Sequence, residues 1–180
     1  MPIVSGDLLI KMSIKTGSAG NTTSSTAATS LGKYISTTQI TDATLNNLFD
    51  DVTGDENVAS NVDYKCIFIH NSHATLTAQN GIAWLSAEVA GGASAAIAVD
   101  NVAASVIGSS SAQADLIATD DTAPSAVSAY NTSTTKSGGL SIGSIPAGSC
   151  RAIWVRRTAA NNAAVTNDGV TVKVEFDTAA

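Results

Sequence analysis

Charged side chains are scarce in this 180-residue chain. Asp, Glu, Lys and Arg make up 13% of it, against roughly 25% in soluble globular proteins generally. Aromatic residues make up only 4%. Lys and Arg number 9 against 15 Asp and Glu, a formal net charge of -6. That balance argues against a basic footprint able to displace counterions from a phosphate backbone, so no direct nucleic-acid partner is expected. The one basic cluster, Arg151, Arg156 and Arg157, is expected to project from a strand and pair with carboxylates. No apolar run approaches the ~20 residues of a membrane-spanning helix. The opening "MPIVSGDLLIKMSIK" lacks the basic start, apolar stretch and small-residue cleavage site of a secretory signal. The expectation is therefore a soluble chain made in the cytoplasm, with no membrane partner. Two cysteines, Cys66 and Cys150, do not make a disulfide framework. Each lies in an apolar run, where a reduced thiol behaves as a small hydrophobe.

Hydrophobic residues amount to 44%, much of it alanine. Large side chains must therefore concentrate in a few places, with long Ala/Ser/Thr/Gly stretches left for surface and loop. The length fits one domain with room for a substantial core. A surface with so little charge does little to keep copies apart, which suits a protein that works packed in an assembly.

Leu8, Ile10, Met12 and Ile14 alternate with other residues at a period of two, the mark of a half-buried strand. "TGSAGNTTSSTAATS" (16–30) has no large apolar residue and no charge, and reads as a flexible arm. The expected division is an N-terminal strand and arm over 1–30 and a β-sandwich domain over 31–180. Residues 33–40 read as a strand. In 41–52, Leu45, Leu48, Phe49 and Val52 fall at helical spacing after Thr41 or Asp42, which predicts one short helix. Further strands are expected at 64–70, 82–86, 95–99, 139–145, 149–157 and 170–176. Asn80-Gly81 reads as a tight turn. Residues 101–138 read as a long excursion with one strand at 114–118. Seven to nine strands and one short helix, with turn signals near every ten residues, predict a mostly β fold: an antiparallel β-sandwich or jelly roll.

Two stretches raise the question of chemistry. "YKCIFIHN" (64–71) and "SCRAIWVRR" (149–157) each carry one cysteine in an apolar strand and end in polar groups. A zinc site needs about four ligands at workable spacing; His70 and His73 have no CxxC or HExxH around them. Cys66 and His70 sit about 13 Å apart along one strand, too far for a nucleophile and its base. Cys150 has no His near it in sequence. The acidic "DDVTGDEN" (50–57) does not match a calcium loop and reads as a solvated turn. "VAGGASAA" lacks the Lys and the spacing of a phosphate loop. "GLSIG" (139–143) formally matches the G-x-S-x-G elbow around Ser141, but it runs on into a strand and no His follows residue 73. No catalytic, cofactor-binding or metal-ligating residue is assigned.

"YKCIFIHNSHATLTAQNGIAWLS" resembles a pattern of tailed-bacteriophage virion structural proteins: an aromatic-led strand ending at Asn, a Thr-Leu stretch, then a strand carrying an aromatic. "LSIGSIPAGSCRAIWVRR", a following Asn/Ala-rich loop and a final alternating strand fit the second half of that pattern. The resemblance covers 31–180 and consists of packing and turn signatures. It implies a non-enzymatic virion component without cofactors, first of all a capsid decoration or cement protein that binds and stabilises the outer shell. Its partners would be the major capsid protein or other virion proteins and sister subunits, in a homo-oligomer such as a trimer, within a particle assembled in the host cytoplasm. A neck, tail or head-fibre component is one alternative, and a carbohydrate-binding host-attachment module another. On this view Tyr64, Cys66, Ile67, Phe68, Ile69, Ile153, Trp154 and Val155 are two walls of a sandwich. Asn71 ends a strand, and Arg156 and Arg157 are rim charges or subunit contacts.

Overall fold

A computed structural model describes residues 2–161, 165 and 167–177. Part of the expected Asn/Ala-rich loop (162–164 and 166) lies outside the described residues. Nine strands form two antiparallel sheets packed as a β-sandwich: β1 (Leu8–Ile14), β2 (Tyr34–Gln39), β3 (Val62–Asn71), β4 (Ala78–Glu88), β5 (Ser94–Val99), β6 (Ser105–Val106), β7 (Leu140–Ile145), β8 (Ser149–Thr158) and β9 (Val170–Asp177). The larger sheet runs β2-β1-β3-β8-β5, with the short β6 also pairing β8; the smaller runs β7-β4-β9.

The centre of the larger sheet is β3 against β8, in unbroken register from Val62↔Thr158 to Asn71↔Ser149. Both strands are buried on both faces, which is why their sequences are nearly continuous apolar runs and not alternations. Successive side chains point opposite ways, so the sheet serves two cores. Ile67, Ile69, Ile153 and Val155, with Ile97 of β5, face the smaller sheet, where they meet Leu85, Ile142 and Ile145. Cys66, Phe68, Cys150, Ala152 and Trp154 face the other way and meet Leu31, Ile35, Ala114 and Ile117. Loops cover that second face. The two stretches expected to be two walls of a sandwich are instead neighbouring strands of one wall, joined by their ladder.

Strand β1 lies between β2 and β3, pairing Ile10 with Ile69 and Met12 with Ile67. It is a member of the sheet, and the expected boundary at residue 30 falls inside the domain. Residues 16–30 are not a loose arm. The Asn21 amide donates to the Ile35 carbonyl at 2.6 Å and the Thr37 amide to the Thr23 carbonyl at 2.9 Å, so residues 21–25 run along the outer edge of β2. Ser30 is fully buried, and its hydroxyl donates to the Cys66 carbonyl at 2.7 Å. Small hydroxyl side chains let the segment lie this close to a strand edge and supply the bonds that hold it. At the opposite edge, residues 126–131 shield β5 through paired bonds between Ile97 and Asn131 and through the Ser128 amide to the Val99 carbonyl. Such cover satisfies edge groups that would otherwise be exposed to pairing with another chain.

The helix expected over 41–52 is a series of turns. Ala43 and Asn46 have φ of 55° and 56°, a left-handed conformation that breaks an α-helix of L-residues. Leu48 and Phe49 still turn inward onto the core between the sheets, while Leu45 stays exposed. The helix is one step further on, α1 (Gly54–Ala59). The Glu56 amide donates to the Thr53 hydroxyl at 3.2 Å and the Thr53 amide to the Glu56 carboxylate at 2.7 Å, a reciprocal N-terminal cap. The acidic stretch read as a solvated turn after a helix is therefore itself a helix start.

Asn80-Gly81 is no hairpin turn either. It lies within β4, with Asn80 at φ 52° and the ladders to β7 and β9 shifting register there, which makes it a bulge. A Cβ on Gly81 would sit 2.3 Å from the Phe176 ring, so glycine lets β4 pass close to that aromatic. In the excursion, 114–118 makes no strand beyond a single bridge at Leu116, and the pairing is instead the short β6.

Candidate functional site

The antiparallel register places His70 directly opposite Cys150 and Cys66 directly opposite Trp154. Directly opposed residues share a face, so the sheet makes the Cys–His pair that sequence spacing did not. Lys11, opposite Phe68 on β1, joins the same face. Its ammonium donates to the Asn21 side-chain oxygen at 2.8 Å. Gln113 closes the cluster from the excursion, its side-chain amide donating to the Val106 carbonyl at 2.9 Å and to Cys150 Sγ at 3.3 Å, while its oxygen accepts from the Ile35 amide at 3.1 Å.

The electrostatics of this cluster oppose nucleophilic chemistry. A catalytic cysteine needs a lowered thiol pKa and a base to take the proton. Burial pushes the Cys150 thiol up to about 12. Burial, and then the neighbouring Lys11 charge, hold the His70 imidazole below its ordinary range. Lys11 is itself lowered by burial, with a smaller opposing effect of Cys150. The pair is therefore a neutral thiol beside a neutral imidazole, and His70 is only 6% exposed. Its Nδ1 has no hydrogen-bond partner among the described residues. Cys66 is fully buried and its thiol is raised well above the usual range, first by desolvation. Both cysteines are free, and four positions of strand, about 13 Å, keep them apart on their shared face.

A labelling experiment follows from this burial. A polar thiol reagent is expected to modify Cys66 and Cys150 of the native protein only at the rate at which the domain opens. Addition of denaturant should make both react at once. Fast modification of either in native buffer would show that the second face of the sheet is accessible.

The other candidates resolve into structure. Arg157 donates to Asp63, its register neighbour on β3, at 2.6 Å and to Asp50 at 3.1 Å, and lies over the Phe49 ring. Arg156 stacks 4.8 Å from the centre of the Tyr130 ring, and Arg151 donates to the Val102 carbonyl. The basic cluster is thus committed within the chain, two of its members to groups other than carboxylates. His73 accepts the Thr75 and Leu76 amides and organises the turn after β3. Asn71 does more than end its strand. Fully buried, it donates to the Leu76 and Ile145 carbonyls and accepts the His73 amide, tying β3 and its turn to β7 in the other sheet. Ser141 lies exposed on β7 with no helix after it. Among the described residues no group of three or more His, Cys, Asp and Glu could hold a metal ion, and no helix is long and apolar enough to cross a membrane.

Two polar residues that sequence reading passed over organise the second core. Asp100 is fully buried and accepts the Trp154 indole N–H, the Asp115 amide and the Val102 amide, each at 2.8 Å. With Gln113 it pins the excursion to the sheet. The signal for it in the sequence was an Asp directly after a strand, in "AVDN", where such residues bond the backbone two positions on. No family model, curated protein or solved structure matches this chain.

Proposed function

We propose that this chain is a non-enzymatic structural protein of a tailed-bacteriophage virion, and within that class a capsid decoration or cement protein that binds the outer shell and stabilises it. The observation that carries the reading is where the reactive and charged groups go. Cys66, Cys150, His70, Lys11, Asp100 and Arg157 are all buried, and four of them, Lys11, Cys150, Asp100 and Arg157, bond loop residues to the larger sheet. What remains outside is a surface rich in Ala, Ser and Thr in a chain with only 13% charged residues, suited to lying against another protein. The resemblance of "YKCIFIHNSHATLTAQNGIAWLS" and "LSIGSIPAGSCRAIWVRR" to virion proteins supplies the class.

With residues 16–30 bonded to their own domain, attachment falls to the loop layer over the second core. That layer presents Val106 and Leu116 at 64% and 48% exposure. The partners are the major capsid protein and sister subunits, in particles assembled in the host cytoplasm. A sugar-binding module is disfavoured, because sugar platforms use exposed aromatic faces and each of the eight aromatics here (two Trp, three Tyr, three Phe) is buried or half-buried.

The test is the copy number and symmetry of the protein in purified particles, by quantitative mass spectrometry and electron microscopy. Hundreds of copies spread over the shell are expected, with occupancy reduced by Val106→Asp with Leu116→Asp at unchanged melting temperature. A single ring at one vertex would instead indicate a neck or tail component. Absence from particles would overturn the virion reading.

A further inference from the structure

The two sheets treat their edges differently. Both edges of the larger sheet are covered by the chain itself, at 21–25 and 126–131. In the smaller sheet β7 and β9 are the outer strands, and among the described residues no backbone bond from elsewhere in the chain reaches the far side of β9. The two edges are unequal as templates. β7 is kinked, with Gly143 at φ 73° and irregular register against β4. β9 is eight residues long with no glycine, no proline and no positive φ. The extra residues of both bulges in the β4–β9 ladder lie on β4.

We propose that the β9 edge is the interface with a second copy of this chain, joined antiparallel across a two-fold axis through Val174. The sequence "VTVKVEFD" is complementary to its own reverse. With Val174 opposite Val174 of the second copy, Lys173 faces Glu175, Glu175 faces Lys173, and Thr171 faces Asp177, all on the outer row. On the inner row Val172 faces Phe176, and the apolar face of each small sheet runs on into the next. Opposite charges directly across an antiparallel pair stabilise it, and like charges oppose it. Sliding by two residues sets Lys173 against Lys173 or Glu175 against Glu175. A one-residue slip turns the charged row toward the core. One register is therefore singled out. A shallow groove lies beside the C-terminal half of this edge, between Ile3, Val4 and Leu8 on one side and residues 174–177, Glu175 and Asp177 included, on the other; Val4 there is 58% exposed, where an added strand would cover it. The inference rests on strand geometry and charge order and does not depend on the virion reading.

The charge order makes the test reciprocal. Lys173 and Glu175 are solvent-exposed, so reversing either leaves the fold intact, as a melting curve checks. The full-length protein is expected to sediment as a dimer or a higher even-numbered oligomer. Lys173→Glu alone and Glu175→Lys alone are each expected to weaken self-association at least tenfold. An equimolar mixture of the two is expected to restore it. In the mixed pair the introduced acid of one chain faces the introduced base of the other, and the unchanged Glu175 of the first faces the unchanged Lys173 of the second. Glu175 also pairs with Lys136 of its own chain and Lys173 lies 6.0 Å from the centre of its own Trp84 ring, so the restoring mixture, not either single change, is the decisive arm. A wild-type monomer at all concentrations, a closed trimer, an oligomer indifferent to both reversals, or a mixture that stays dissociated would each overturn the proposal.

Discussion

Deleting residues 1–30 is expected to abolish cooperative folding. The deletion removes β1 from between β2 and β3 and so breaks two ladders at once. It takes Met12 and Ile14 out of the buried set and Ile10 from the core between the sheets. Full burial of one such side chain is worth about 1.5–3 kcal/mol, and a whole domain is stable by only about 5–15 kcal/mol. The deletion also strips the cover from β2, removes the Ser30 bonds to Cys66 and opens the second core beside Phe68. Calorimetry and circular dichroism of the truncated chain should show no sharp transition. A shorter deletion, 1–6, leaves β1 whole and should melt close to the full chain. A cooperative transition of ordinary size in the longer truncation would show that the sandwich closes without β1.

The second large effect is expected at Trp154. It is the largest fully buried side chain, mid-strand on β8 and facing the second core. Trp154→Ala removes the ring and leaves a cavity, at about 3–5 kcal/mol. It also takes one of three donors from the buried Asp100 carboxylate, and an under-satisfied buried acceptor costs a further ~1–3 kcal/mol. The sum approaches the whole stability of a typical domain, so the variant is expected to be largely unfolded or to melt tens of degrees lower. Trp154→Phe separates the two contributions. It keeps most of the volume and loses the indole N–H, so its deficit should be near the lower, hydrogen-bond figure. A Trp154→Ala protein melting within a degree of wild type would refute the packing described for that face.

The strands were legible because burial writes itself into side-chain order. The alternation of β9 and the continuous apolar runs of β3 and β8 gave their positions nearly to the residue. The misreadings share one cause, a local pattern overruled by tertiary context. Leu45, Leu48, Phe49 and Val52 have helical spacing, yet the core takes Leu48 and Phe49 from a chain of turns. Asn80-Gly81 has hairpin chemistry, yet it lies inside β4 as a bulge, with Gly81 packed closely against Phe176 and Ile142. Residues 16–30 lack every residue that anchors by burial. They are held by backbone and hydroxyl hydrogen bonds to a strand edge, which composition does not display. The juxtaposition of His70, Cys150 and Lys11 depends on a register between strands far apart in sequence, so nothing local could announce it.

That same register sets the order in which the molecule can be made. During synthesis, at about 5–20 residues per second, β3 emerges with only β1 and β2 available to it. Its other neighbour, β8, is encoded near the far end of the chain. Until then one long edge of β3 has no native partner, and each of its apolar faces has only part of its core: Leu31 and Ile35 on one, Leu85 and Ile97 on the other. Pairings this distant in sequence are also the slow ones, with folding in the millisecond-to-second range for β topologies rich in them. Neither the first half of the polypeptide nor the second contains a complete sheet. Both sheets can be completed only once β8 and β9 have left the ribosome, and the interval before that is when the nascent protein is most exposed to association with its neighbours.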